Sequence, residues 1–230
     1  MSDGDQYTIS EHVVEGKRLG RHVHHDPRSR SWPVQVTADP NPPTKVWART
    51  SVFDQGQLGS CTGNALVGVA ATTPLKIRYK RYSEATAVAV YERATQLDGF
   101  PGQYPPDDTG SDGLSAAKAC IERGLAATYR WGFGINDLVL NLSQNGPCAV
   151  GVNWHEGFDN PDASGRVHLT GAVRGGHEFE VIGWHADTRL LECVNSWGYG
   201  WGLRGRFFVG VDDMGALLAE GGDCVTLADT

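Results

Sequence analysis

The 230-residue sequence predicts a chain in which helices and strands are segregated, helices first and short strands after, in two lobes. Two observations carry this. From about residue 47 to 130 the apolar segments are long enough for helices and are separated by capping and turn residues, and from about 147 to 228 they shorten to strand length between turn residues. Ahead of both lies an arm, residues 1 to about 46, rich in Pro, Arg and His and closed by Pro40-Asn41-Pro42-Pro43, an extended linker.

In chain order, Gln55-Gly56 and Gly59-Ser60 are turn chemistry, and Ala65, Leu66, Val67, Val69, Ala70 and Ala71 after them read as a helix buried on nearly all sides, ended near Pro74. Helices are expected around residues 84–95 and 114–123, with a loop over 97–111 between them, and a further one over 135–145 is closed by Gly146-Pro147. Strands are expected over 149–154, 178–184, 190–194, 205–211 and 224–227. No internal repeat interrupts this order.

Composition narrows the function classes. A net charge of −7 argues against a nucleic-acid partner, and no apolar run approaches the length of a membrane span. The first residues lack the charged-then-apolar layout of a secretory signal, so the default compartment is the cytoplasm. Cys61, Cys120, Cys148, Cys193 and Cys224 are widely spaced and leave no metal-ligand pattern; Cys120, Cys148 and Cys193 read as small buried hydrophobes, and Cys224 is free to pair only in an exported protein. His177-Glu178-Phe179-Glu180-Val181 is not the zinc-binding pattern, because position i+4 is Val181, and His22, His24 and His25 have no cysteine partner. No metal and no cofactor are expected.

Charge is unevenly spread. Residues 1–35 hold five Lys/Arg and five Asp/Glu, so the rest of the chain carries the whole negative excess, and over 17–30 Lys17, Arg18, Arg21, Arg28 and Arg30 stand against only Asp26. Such a run is ordinarily a solvated tail.

Three segments in fixed order carry the chemistry: Gln55 to Cys61, Gly175-Gly176-His177, and Asn195-Ser196-Trp197-Gly198 with Trp201-Gly202 behind. They supply a thiol nucleophile, a base, a group to orient the base and an amide donor for an oxyanion. The glycine-rich approach and the apolar run after Cys61 place the thiol at a helix N-terminus, where the dipole favours thiolate. On a strand, Glu178 and Glu180 point opposite to His177, Phe179 and Val181, so they must be solvated, paired or in use.

The stretches DQGQLGSCTGNA and VNSWGYGWG, and the order Gln, Cys, His, Asn, resemble the papain family of cysteine peptidases from about Trp47 onward, closest to its compact bacterial-type branch. The resemblance implies an α+β, two-lobed fold, with a helical lobe (about 47–130) against an antiparallel barrel-like lobe (about 131–230), together a peptidase domain over 47–230 with the site in the cleft. It implies a cysteine endopeptidase in which Cys61 and His177 form a thiolate–imidazolium pair near neutral pH and pass through an acyl-enzyme. Asn195 orients the imidazole, the Gln55 amide and the Cys61 N–H hold the oxyanion, and Trp197 shields the Asn195–His177 contact. Gly110, Ser111, Gly176 and Trp201 are expected to line the bound polypeptide. Ser111 or Asp112 equally suits a helix N-cap. Leu58 stands where many members have a second Cys, Thr62 replaces an aromatic, and Glu178 replaces a small residue. Members are commonly made with an N-terminal segment through the cleft, so the arm is expected to act as a short autoinhibitory prosegment of a zymogen. Two other readings stay open: a cell-wall peptidase or amidase of the Cys/His type, and a catalytically silent peptide-binding module of the same fold.

Overall fold

The computed structural model describes residues 13–14, 16–49, 51–75 and 82–229. In the arm, β1 (Val13–Val14) and β2 (Lys17–Arg18) pair antiparallel, and a 3₁₀ turn over Pro27–Ser31 starts at Asp26, whose carboxylate accepts from the Arg28 N–H. The proline-rich linker then lies along the β lobe: the Trp184 indole donates to the Pro42 carbonyl at 3.0 Å, and β3 (Lys45–Val46) pairs antiparallel with a later strand at Gly183 and Trp184.

Three helices form the first lobe. The first, α1 (Cys61–Ala71), is buried at every position, because its small and apolar residues pack on all sides. Gly63 sits so close to the next helix that a Cβ there would lie 2.5 Å from the Ala87 carbonyl oxygen. α2 (Glu84–Leu97) opens with a capping box between Ser83 and Thr86, and α3 (Gly113–Glu122) opens on Asp112, whose side chain accepts from the Ser115 N–H. Leu66, Val69, Val90, Ala94 and Leu114 share one core. Each large aliphatic side chain buried there contributes about 1.5–3 kcal/mol.

The second lobe is one antiparallel sheet. β4 (Thr128–Trp131), α4 (Ile135–Gln144), β5 (Cys148–His155), β6 (Val173–His185), β7 (Leu190–Val194), β8 (Arg206–Gly210), α5 (Val211–Ala219) and β9 (Asp223–Ala228) follow in chain order, and the sheet runs β4-β9-β5-β6-β7-β8 with β3 also on β6. Its own core gathers Val150, Val152, Trp154, Phe179, Phe207, Met214 and Leu217. The expected helices and strands are present with ends shifted by a few residues, and β1, β2 and β3 in the arm and β4 and α5 after it are additions to the expected set. Among the described residues no helix is long and apolar enough to cross a membrane. All five cysteines are free and buried.

Candidate active site

Cys61 is the first residue of α1, as the turn chemistry before it predicts. The loop that delivers it is pinned from two sides. Ser60 Oγ donates to Asn64 Oδ1, Asn64 Nδ2 donates to Glu84 Oε1, and Glu84 Oε2 accepts from the Asp54 N–H. On the other side Asp108 accepts from the Gly59 N–H and from the Tyr91 hydroxyl, which itself accepts from the Gly110 N–H. The irregular loop before α1 is thereby fixed, and with it the thiol at the helix start.

His177 lies on β6, opposite Val152 of β5. Its Nε2 is 2.8 Å from Asn195 Oδ1, which also accepts from the Ser196 N–H at 2.8 Å. Because a backbone donor faces the same atom, that atom is the amide oxygen, and His177 Nε2 must carry the hydrogen. His177 Nδ1 is therefore the bare nitrogen, buried and without a hydrogen-bond partner. Two indoles enclose the ring, Trp197 at 5.0 Å and Trp154 at 4.9 Å between centroids. Trp201 packs edge-on against Trp197, and its N–H donates to the Asp159 carbonyl.

Gln55 reaches the same point from the first lobe. Its backbone N–H donates to the Ser196 carbonyl, and its Oε1 accepts from Ser196 Oγ at 2.6 Å, which turns the Nε2 donor outward. That donor is occupied by the Arg18 carbonyl at 3.0 Å and the Leu58 carbonyl at 2.8 Å.

The arm fills the cleft. The Arg21 N–H donates to the Gly176 carbonyl at 3.0 Å, the His22 N–H to the Ser111 carbonyl at 2.8 Å, and the Ser111 N–H to the Gly20 carbonyl at 2.9 Å. This is a parallel bridge between Arg21 and Ser111. The Gly20 N–H faces the Cys61 sulfur, as do those of Glu178 and Thr62. Only glycine fits at position 20, where a Cβ would lie 2.1 Å from the Gly59 carbonyl oxygen. Basic residues of the arm meet acidic residues of the body: Lys17 with Asp54, Arg18 with Asp108 at 2.9 Å, and Arg21 with Asp223 at 2.5 Å. The arm's histidines also dock. His22 stacks on Phe100 and bonds the Thr109 carbonyl, and His24 bonds Asp112. With the cleft filled, an open groove lies elsewhere, between residues 38–43 and the helices α4 and α5.

Superposition on solved structures fixes the architecture. Xylellain, a cysteine protease from Xylella fastidiosa, aligns with a TM-score of 0.73 at 16% identity over 97% of this chain and 99% of its own. The fold is papain-like. Digestive procathepsin L 3 of Tenebrio molitor shares this papain-like fold with a TM-score of 0.64 at 15% identity, over 97% of this chain and 84% of its own. In sequence, the chain is similar to cathepsin B-like cysteine proteinase 5 of Caenorhabditis elegans, 30% identical over 94 residues, 39% of this chain and 27% of that protein. Cathepsin B-like cysteine proteinase 6 of the same organism is 34% identical over 91 residues, 36% of this chain and 24% of its own. The chain thus aligns with about a quarter of the length of these curated relatives. No protein-family model matches it.

Within this papain-like cleft two expectations change. Burial under the arm, reinforced by the Glu178 carboxylate, pushes the Cys61 thiol up to about 12, and burial pushes His177 down to about 4 despite its bond to Asn195, so the covered site disfavours the thiolate–imidazolium pair. A dry site penalises each charged form. Gly110 makes no hydrogen bond to the arm. Its N–H is taken by Tyr91, and its part is to let the Gly20 carbonyl approach, since a Cβ would lie 2.4 Å from that oxygen. Ser111 and Gly176 do bond the arm backbone, and Asp112 is the N-cap of α3. Residues not anticipated from sequence are Trp154, the hydroxyl of Ser196, Arg21 and Asp223. Among the described residues no group of three or more His, Cys, Asp or Glu is placed to hold a metal ion.

Proposed function

We propose that the chain is a cysteine endopeptidase with Cys61 as nucleophile, His177 as acid and base, Asn195 as the group that orients it and Gln55 as an oxyanion donor, held closed by its own arm. The observation that carries this reading is the bare His177 Nδ1, left free by the Nε2–Asn195 bond, on the strand whose next residue offers its N–H to the Cys61 sulfur. Once the arm leaves, the Cys61 proton passes to His177 Nδ1. The thiolate adds to the substrate carbonyl carbon, and the carbonyl electron pair moves onto oxygen, facing Gln55 Nε2 and the Cys61 N–H. Collapse breaks the C–N bond, and Nδ1 gives its proton to the departing amine. A water that yields a proton to Nδ1 then attacks the thioester, releasing the acid and restoring the thiol.

We further read residues 1–46 as the regulatory arm and 47–230 as the peptidase domain, with helical and β lobes dividing near residue 130. Support for inhibition is positional: the Arg18 carbonyl occupies the Gln55 donor, and the parallel pairing at Ser111 runs opposite to an antiparallel substrate strand. Assignment to the compact bacterial-type branch is supported by the near end-to-end superposition with the Xylella fastidiosa protease. A cytoplasmic setting suits five free cysteines.

The test compares the full chain, the chain lacking residues 1–35, and Cys61→Ala in both, on a fluorogenic peptide amide and an unfolded protein. Truncation should raise turnover, most at low ionic strength where the ion pairs hold best, and Cys61→Ala should abolish it in either background. Turnover unchanged by Cys61→Ala sinks the nucleophile, and equal turnover of full and truncated chains at every salt concentration sinks the arm. Cleavage of muropeptides with none of protein favours the cell-wall reading instead.

A further inference from the structure

The turn that leads into Cys61 carries no covalent tie: every cysteine is free, and position 58 is a leucine, so hydrogen bonds and packing set its shape. Its first half belongs to the β lobe. The Gln55 N–H donates to the Ser196 carbonyl at 2.9 Å, and the Leu58 N–H returns to the Gln55 carbonyl at 3.1 Å. Its second half ends at Gly59, two residues before the thiol, and the side chain that meets it is Asp108. The Gly59 N–H lies 3.1 Å from Asp108 Oδ1 and 3.0 Å from Oδ2. The approach is close, since a Cβ on Gly59 would lie 3.0 Å from the same Oδ1.

Asp108 comes from the loop between α2 and α3, and its Oδ1 also accepts from the Tyr91 hydroxyl at 2.6 Å. Tyr91 is fully buried on α2, and its hydroxyl oxygen accepts from the Gly110 N–H at 2.9 Å. One carboxylate thus joins the turn that carries the nucleophile to the facing wall of the cleft, where Ser111 follows Gly110 and bonds the arm backbone. Among the described residues neither the Gly59 N–H nor the Tyr91 O–H has another residue to accept from it. The arm reaches the same group from outside: Arg18 Nη1 lies 2.9 Å from Asp108 Oδ2, and Arg18 Nη2 donates to the Asp108 carbonyl at 3.0 Å.

We propose that Asp108 is a positioning residue for the peptidase reaction, fixing the turn at Gly59 so that the Cys61 thiol and the two oxyanion donors keep one spacing, and that the arm closes the cleft partly by engaging this same carboxylate. This rests on the peptidase reading given above. Asp108 touches no reacting atom, and its effect is geometric. Gln55 Nε2 and the Cys61 N–H stand at opposite ends of the turn, so a shift at Gly59 changes the distance between them. A misplacement of about 1 Å can lower a rate by about a hundredfold. Loss of the carboxylate also strands two donors, and the turn must rearrange to satisfy them. An asparagine keeps one carbonyl oxygen for Gly59 and Tyr91 and presents its NH₂ where Arg18 lies, so it preserves the turn while discarding the ion pair to the arm.

The test uses the full chain with Arg18→Ala as reference, which removes the arm's hold on Asp108 from every form compared, and a fluorogenic peptide amide. Adding Asp108→Ala should lower kcat by about tenfold or more with KM changed by less than about threefold, the split expected when a contact matters in the transition state. Adding Asp108→Asn instead should hold kcat within about threefold of the reference, because the acceptor at Gly59 remains. Equal kcat for the alanine and asparagine forms overturns the proposal and leaves the peptidase reading standing. Should the alanine form fail to fold, Tyr91→Phe, which frees Asp108 from its shortest donor, should lower kcat by about threefold, and an unchanged kcat overturns the proposal. Alkylation of Cys61 by iodoacetamide at pH 6 reads the same geometry without turnover, since the thiol must meet His177 Nδ1 to ionise there. Slower alkylation of the alanine form than of the asparagine form, with no hydrolysis by any form, keeps Asp108 as the group that positions the thiol and sinks the peptidase, whereas equal rates with no hydrolysis sink both.

Discussion

Glu178 and Glu180 sit two residues apart on one face of β6 and are both buried, but they are served differently. Glu180 meets a partner from the body of the protein: Arg49 Nε lies 3.1 Å from its Oε2, and Thr72 Oγ1 donates to its Oε1 at 2.5 Å. Arg49 is tied in turn to the Gly68 carbonyl of α1. Glu178 faces Asp223 and the arm's Arg21, and neither oxygen is hydrogen-bonded. Burial and the Asp223 carboxylate push its pKa well above the usual range while Arg21 pulls it back. A buried acid whose cation is resident is scaffold that joins the lobes. A buried acid whose cation comes from the arm keeps that cation only while the arm stays docked.

The largest expected effect is on stability, where the two positions should part. Glu180→Ala strands Arg49 in the interior and should cost about 3–5 kcal/mol, the penalty for breaking a buried pair by removing one partner. Glu178→Ala leaves Arg21 with Asp223 and relieves a carboxylate–carboxylate repulsion, so its cost should be about 1 kcal/mol or less. Urea denaturation of both variants reads this directly, and equal losses would erase the distinction between resident and detachable cations.

Next comes the reactivity of Cys61. With the arm in place burial raises the pKa of the thiol. Removing residues 1–35 should therefore raise its alkylation rate by iodoacetamide at pH 6 on the order of a hundredfold as His177 becomes able to share its proton. Cys148 and Cys193, buried in the sheet core, should stay unreactive in both forms. If the full chain alkylates as fast as the truncated one, the arm does not govern the site.

The smallest effect is a pH dependence of arm docking. The hydrogen bond that His24 donates to Asp112 raises the His24 pKa; burial pushes Asp112 up, but the bonds from His24 and Ser115 outweigh it and hold that carboxyl below its usual value. The contact contributes fully above the ordinary Asp112 value and below the ordinary His24 value. It is lost as pH rises through the raised His24 pKa or falls through the lowered Asp112 pKa. Limited proteolysis of the arm should be accelerated by His24→Gln at pH 5, by less than about threefold for so exposed a pair, and unchanged at pH 8.5. Equal acceleration at both pH values would mean that His24 acts by packing alone.

Much of the site is legible in the sequence because its parts are local. Cys61 opens a helix because a glycine-rich turn precedes an apolar run, and Asn195 and Ser196 act within one turn of chain. Glu178 stands out as an acid on an apolar strand beside a histidine. Its counterparts do not: Arg21 and Asp223 are separated by 202 positions, and each looks like an ordinary surface charge in its own neighbourhood. α5 goes unread because it follows β8 with no turn residue between, although Val211, Met214 and Leu217, three apart and buried, carry its signal. β4 is four residues long and is a strand only because β9 pairs with it.

By itself the sequence set the order of helices before strands and singled out Cys61, His177, Asn195 and Gln55 as candidates, since residue type, short-range spacing and resemblance suffice to nominate them. Tertiary structure alone decided that the basic arm runs through the cleft, that Cys61 and His177 are buried beneath it, and that Arg21 lies against two carboxylates. Charge state and ion pairing depend on burial and on contacts between distant parts of the chain, and neither quantity is written at any single position.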